Sequence, residues 1–128
     1  MKQIIYTGEA PAPIGPYSQA VQAGQMLFIS GQIAIDPSTN ELIKGSVGDE
    51  ARQAMKNLEA LLTKAGYTFA DVVKTTIFLS DMNYFGEVNE IYGSYFTADF
   101  PARETVAAAG LPKNVNVEIS VIAYNPNR

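Results

Sequence analysis

The amino-acid sequence predicts an α+β fold in which two amphipathic helices cover one face of a sheet. Three observations predict it. Segments with an apolar period of two alternate with segments whose apolar residues recur every three or four positions. Their order along the chain is β-β-β-α-β-α-β-β, which supplies six strands and two helices. The last strand alternates cleanly, with Val115, Val117, Ile119 and Val121 on one side and Asn116, Glu118, Ser120 and Ile122 on the other. One sheet face is therefore expected beneath helices, and the other solvated or pressed against another subunit.

Each element has its own signal. Residues 4–6 form a short strand. Residues 10–16 hold three prolines and a glycine and make an irregular loop. Residues 19–23 and 26–30 are apolar runs joined near Gly24, a hairpin pattern. Asp36-Pro37-Ser38-Thr39-Asn40 is a turn. Ser46 is the N-cap of the first helix, whose stripe is Val47, Ala51, Met55, Leu58, Leu62 and Ala65, and Gly66 stops it. Residues 71–79 are a strand with Val73, Thr75, Ile77 and Leu79 on one face. Asp81 opens the second helix, with a stripe of Phe85, Val88, Tyr92 and Tyr95. Gly86 and Gly93 weaken that helix by about 1 kcal/mol each relative to Ala, and close packing is the expected return. Residues 103–109 and 115–123 are the closing strands, separated by a turn at Gly110-Leu111-Pro112.

Composition narrows the chemistry. A chain of 128 residues suits one domain, residues 1–128, and can bury roughly 65% of the surface its unfolded form exposes. No apolar run approaches the ~20 residues of a membrane span. The first six residues are too short and soon too polar for a signal peptide, which, with the absence of cysteine, favours the cytoplasm. The net charge of −4 and the pI near 4.7 disfavour nucleic-acid binding, and the nine Lys and Arg form no basic tract. With neither His nor Cys, the common zinc, copper and haem ligands are missing. The commonest general base and the thiol nucleophile are missing too, and a Ser-His-Asp device is impossible. No glycine-rich phosphate loop is present. Any catalysis is expected to run without metal or cofactor, on carboxylates, Tyr, Lys, Arg, hydroxyls and backbone amides.

Six residues are candidates for such a site. Arg103 follows Phe100-Pro101-Ala102 and begins an otherwise apolar strand, so its guanidinium could clamp a ligand carboxylate with two hydrogen bonds. An edge arginine reaching into water is the competing reading. Glu118, mid-strand between Val117 and Ile119, could deprotonate a water or simply sit on a solvated sheet face. Tyr17 ends the proline-rich loop and could wall a pocket or anchor packing. Gly31, in Ser30-Gly31-Gln32, could offer its N–H to an anion or serve as a turn or bulge glycine. Asn89 could face a cleft or solvent, and Thr105 shares a strand face with Arg103.

Taken together, these segments resemble the Rid family, the reactive-intermediate deaminases also called YjgF-like proteins. The resemblance runs over nearly the whole chain. It rests on Ile14-Gly15-Pro16-Tyr17-Ser18-Gln19-Ala20, Phe28-Ile29-Ser30-Gly31-Gln32-Ile33, Val73-Lys74-Thr75-Thr76-Ile77-Phe78-Leu79, Pro101-Ala102-Arg103, and Leu111-Pro112-Lys113 leading into Val117-Glu118-Ile119. It implies a chorismate-mutase-like mixed six-stranded sheet, and a homotrimer whose sheets form an inner barrel with clefts between subunits. It also implies hydrolysis of 2-aminoacrylate, 2-aminocrotonate and their imine tautomers to 2-oxo acids and ammonia. Such compounds are released by pyridoxal-phosphate-dependent serine and threonine dehydratases. On this resemblance Arg103 binds the carboxylate and Glu118 positions the water. Tyr17, Gly31, Asn89 and Thr105 fall on the family's substrate cleft. The chain departs from the family's pattern at Glu104, where a small residue is usual, and at Thr105, where cysteine is common. The loop before Pro101 is also shorter than in the best-known members. Two rival functions use the same residues or the family's history: a non-catalytic sensor of small carboxylates, and a ribonuclease or translation inhibitor, which the acidic pI and absent histidine disfavour.

Overall fold

A computed structural model describes residues Met1–Arg128. The strands are β1 Gln3–Ile5, β2 Ala20–Ala23, β3 Met26–Gln32, β4 Ile35–Asp36, β5 Glu41–Leu42, β6 Val72–Leu79, β7 Ala102–Ala107 and β8 Val117–Tyr124, and the helices are α1 Val47–Ala65 and α2 Phe85–Gly93. The main sheet has the order β1-β2-β3-β8-β6-β7. All its pairs are antiparallel except β6 with β7, so the sheet is mixed. The crossover between those parallel strands carries α2, as a parallel connection requires. The expected fold class is thus observed. The additional β4–β5 pair is a small hairpin flanking the Asp36–Asn40 turn.

Helix α1 forms because its apolar residues share one side and its ends are capped. Ser46 Oγ accepts from the Asp49 N–H at 3.1 Å, and Asp49 returns a bond to the Ser46 N–H at 3.2 Å. Gly66 closes the helix at φ 84°, a left-handed conformation that costs glycine little. The whole predicted stripe is buried, and Ala54 and Leu61 widen it. It packs on Leu27, Ile29, Ile77, Val117, Ile119 and Val121 of the sheet. Each such leucine or isoleucine contributes roughly 1.5–3 kcal/mol through burial.

The structure corrects several sequence expectations. Strand β1 begins one residue earlier, which places Ile5 opposite Ala20 under α1. In β6 the register shifts between Val72 and Lys74, so Val72 is buried while Val73 is 45% exposed. Strict alternation read from Leu79 backwards misses that bulge. Asp81 caps a 3-10 turn, Met82–Tyr84, rather than α2 itself. Helix α2 ends at Gly93, leaving Tyr95 beyond it. No other element of the chain comes within 4 Å of where a Cβ would stand on Gly86 or Gly93, so close packing within the chain does not explain these glycines. Strand β7 ends at Ala107 and β8 starts at Val117, because a 3-10 turn at Pro112–Asn114 occupies the space between.

The other sheet face has no helix over it. Register aligns Ile4, Val21, Phe28 and Ile122 across four strands there. Ile4 is 52% and Phe28 43% exposed, an apolar patch of the kind that marks a docking surface. Further along the same face, Lys74 and Glu104 form an ion pair at 3.2 Å. The bulge in β6 gives a direct check. Val72→Ala should cost about 2 kcal/mol in urea denaturation. Val73→Ala should stay within about 0.5 kcal/mol.

Candidate functional site

The guanidinium of Arg103 lies in a cradle built by one side of α2. Phe85, Asn89 and Tyr92 stand at positions i, i+4 and i+7, which brings them onto one helical face. Arg103 Nη1 donates to Asn89 Oδ1 at 2.6 Å. Its Cζ lies 5.5 Å from the Phe85 ring centre and 5.2 Å from that of Tyr92, within cation–π range. Tyr92 is fixed in turn, since its hydroxyl donates to the buried Thr75 Oγ1 at 2.9 Å. Burial pushes the Tyr92 hydroxyl above its usual pKa, partly offset by that hydrogen bond and by Arg103. Arg103 has no ion-pair partner, so its remaining donors face a hollow of about 420 Å³ shared with Asn89, Phe100 and Pro101. Phe85 and Tyr92 were legible only as an apolar stripe. The arginine that they hold gives that stripe a second meaning.

Glu118 sits in a different place. It lines a cleft of about 360 Å³ with Tyr17, Ser30, Gly31, Ile33 and Pro112. Its side chain lies across Gly31, where an added Cβ would come within 2.7 Å of the carboxyl carbon. A side chain at position 31, at the bulge between Ile29 and Gln32 in β3, would push the Glu118 carboxyl from this position. Burial raises the Glu118 carboxyl above its ordinary value near 4.5, and no cation lies against it to oppose the rise. Tyr17 walls the cleft, half exposed, with its hydroxyl accepting from the Ile14 N–H at 3.3 Å. Gln19 holds the proline-rich loop that carries it. Its amide accepts from the Thr7 N–H at 2.8 Å and donates to the carbonyls of Thr7, Ala10 and Pro11 at 2.9–3.2 Å.

Strand register separates the two groups. Arg103 pairs with Thr75 of β6, and Glu118 pairs with Phe78. Thr75 and Phe78 are three residues apart, so they point to opposite sheet faces. Arg103 and Thr105 lie on the helix-covered face, while Glu118 lies on the open one. Two strand spacings and three residues of rise put the two Cα atoms on the order of 14 Å apart. Within one chain the structure brings together Arg103 with Asn89, and Glu118 with Gly31 and Tyr17, but not the two groups with each other. Thr105 Oγ1 is buried without a hydrogen-bond partner, and Glu104 points away from Arg103.

Similarity to known proteins agrees with this fold. The family model for endoribonuclease L-PSP matches residues 7–125. The chain superimposes on a conserved Rid-family protein of Yersinia pestis with a TM-score of 0.95 at 46% identity, over 98% of this chain and 100% of that one. The chain belongs to the Rid family. Among its Rid relatives, mouse 2-iminobutanoate/2-iminopropanoate deaminase is 52% identical over 96% of this chain and 91% of its own length. A RutC family protein of Pyrococcus horikoshii is also 52% identical, over 97% and 98%. The crystal structure of E. coli TdcF with bound serine has a TM-score of 0.92 at 42% identity, covering 96% of this chain and 98% of that one.

The raised Glu118 carboxyl has a thermodynamic sign. Ionising it costs folding stability, and the cost is absent below the ordinary carboxylate range, where both states are protonated. It grows as pH rises through the raised value and is complete above it. Glu118→Gln should therefore stabilise the fold at pH 7 and not at pH 3, as measured by urea denaturation at each pH.

Proposed function

We propose that the protein hydrolyses short 2-imino acids, and their enamine tautomers such as 2-aminoacrylate and 2-aminocrotonate, to 2-oxo acids and ammonia. The site would lie between copies of the chain, with Arg103 from one protomer and Glu118 from its neighbour in a homotrimer. One observation carries this reading. The unpaired guanidinium and the unpaired, partly desolvated carboxylate lie on opposite faces of one sheet. No small substrate can touch both in a single copy. The exposed apolar face holding Ile4 and Phe28 supplies a surface for the association. Relatives named as deaminases, at about 50% identity, support the chemistry, and the serine held by TdcF is itself a small carboxylate.

The mechanism follows from the groups. Arg103, aligned by Asn89 and the two rings, pairs with the substrate carboxylate and fixes the C=N carbon. Glu118 accepts a proton from a water as its oxygen attacks that carbon. Attack on the N-protonated imine gives a neutral carbinolamine, whose nitrogen takes the proton from Glu118; its C–N bond then breaks, and the hydroxyl proton leaves with the ammonia as the C=O forms. The proton lost to Glu118 returns in that collapse, so the site is regenerated. A carboxyl with a raised pKa is the stronger base once ionised, which suits this role.

Arg103→Ala should abolish most of the acceleration of 2-oxobutyrate release in a coupled threonine dehydratase assay. Glu118→Gln should lose about 10²-fold in kcat. Unfolding and refolding the two inactive variants together in equal amounts should restore about a quarter of wild-type activity, because random assembly unites both intact groups at one site in four. A mixture that stays inactive while assembling normally would rule out a shared site.

A further inference from the structure

Glu50 is a buried carboxylate that the proposed mechanism does not use. It lies in the first turns of α1, far in sequence from either candidate group. Its partners are the backbone and side-chain amides of Asn116: the N–H donates to Oε1 at 3.0 Å, and Nδ2 donates to Oε2 at 2.7 Å. Asn116 is gripped from its other side by Ser80, whose N–H donates to the Asn116 carbonyl at 3.0 Å and whose hydroxyl donates to Oδ1 at 2.8 Å. The two nearby carboxylates serve other groups. Asp49 closes the Ser46 cap, and Glu87 accepts from the Gly48 N–H at 2.9 Å.

Register explains why strand β8 needs this clamp. Its last pair with β3 is Gln32↔Ile119, and β3 ends there. Val117 and Glu118 are therefore held by β6 alone, through Leu79 and Phe78. The turn before them contains Lys113 and Asn114, both at positive φ, and Pro112, a wall of the Glu118 cleft. A start of strand supported on one side, following a strained turn, would be free to shift. Glu50 removes that freedom by fixing Asn116, two residues before Glu118.

We propose that Glu50 is a positioning residue, acting through Asn116 to hold Glu118 over Gly31 and against the wall of its cleft. This rests on the proposed hydrolytic role of Glu118 for its kinetic consequence, though not for its structural one. A glutamine at position 50 could keep both links, one amide oxygen accepting from the Asn116 N–H and its NH₂ donating to a flipped Asn116 amide. An alanine could keep neither.

The test is ¹³C NMR titration of the Glu118 carboxyl, with steady-state kinetics alongside, on wild type, Glu50→Ala, Glu50→Gln and Asn116→Ala. In Glu50→Ala the Glu118 midpoint should fall toward the ordinary carboxylate value as the cleft loosens and water enters. Its kcat should drop ~10–100-fold with KM nearly unchanged, since the carboxylate clamp is on another element. Glu50→Gln should resemble wild type in both. The same downward shift is expected in Asn116→Ala, which decides the matter if Glu50→Ala does not fold. A folded variant that loses either link yet leaves the Glu118 midpoint where it was overturns the proposal. The titration needs no substrate, so the midpoint remains decisive even if the wild-type protein proves to have no deaminase activity.

Discussion

The pairing of β6 between β7 and β8 is the constraint on which the rest of the molecule depends. Side chains along a strand alternate faces, and hydrogen-bonded neighbours share them. Once Thr75 is buried beneath α2, the register commits Arg103 to the helix side, and once Phe78 faces outward it commits Glu118 to the open side. No rotamer choice can reunite the two. The core thus decides how the functional groups are distributed: the same alternation that buries Ile77 and Leu79 sends the guanidinium and the carboxylate to different surfaces.

Each charged group is prepared by neutral neighbours. Arg103 is held by two rings and an amide oxygen, which orient the guanidinium without consuming its charge. Glu118 is shaped by a glycine and a partly desolvated cleft, with no cation to lower its pKa. Glu50 is likewise held by amides alone. Pairing Arg103 or Glu118 within the chain would have removed the charge from use. The ion pairs that do form, Arg52 with Asp49 and Lys74 with Glu104, involve other residues.

Much of this was legible in the sequence, for identifiable reasons. The α1 stripe, the Ser46 cap and the Gly66 stop are local signals, and each appears where its pattern places it. The alternation of β8 correctly separates Glu118 from the buried valines. What sequence could not show depends on contacts between distant segments. The bulge that buries Val72 instead of Val73 is set by pairing with β8, some fifty residues away. Phe85 and Tyr92 fit a core stripe equally well until the arginine above them is seen. Gly31 read as a turn or bulge glycine and does sit at a bulge, but that the Glu118 side chain lies across it could not be seen. Asn89 suggested a ligand contact, and here its oxygen serves the arginine. The residue types were informative, and their geometry waited on the sheet.

Strand β7 is one of the two rims of the sheet, β1 being the other, and a bare rim invites another chain to add a strand, then another. Two features of this rim oppose such growth. Pro101, just before the strand, has no N–H to offer a newcomer, and Glu104, two-thirds exposed, carries a charge that a stacked copy would bring close to its own. Sideways accretion at this rim is discouraged. Any copy approaching from this side would meet a charge and a missing donor where a strand would have to pair.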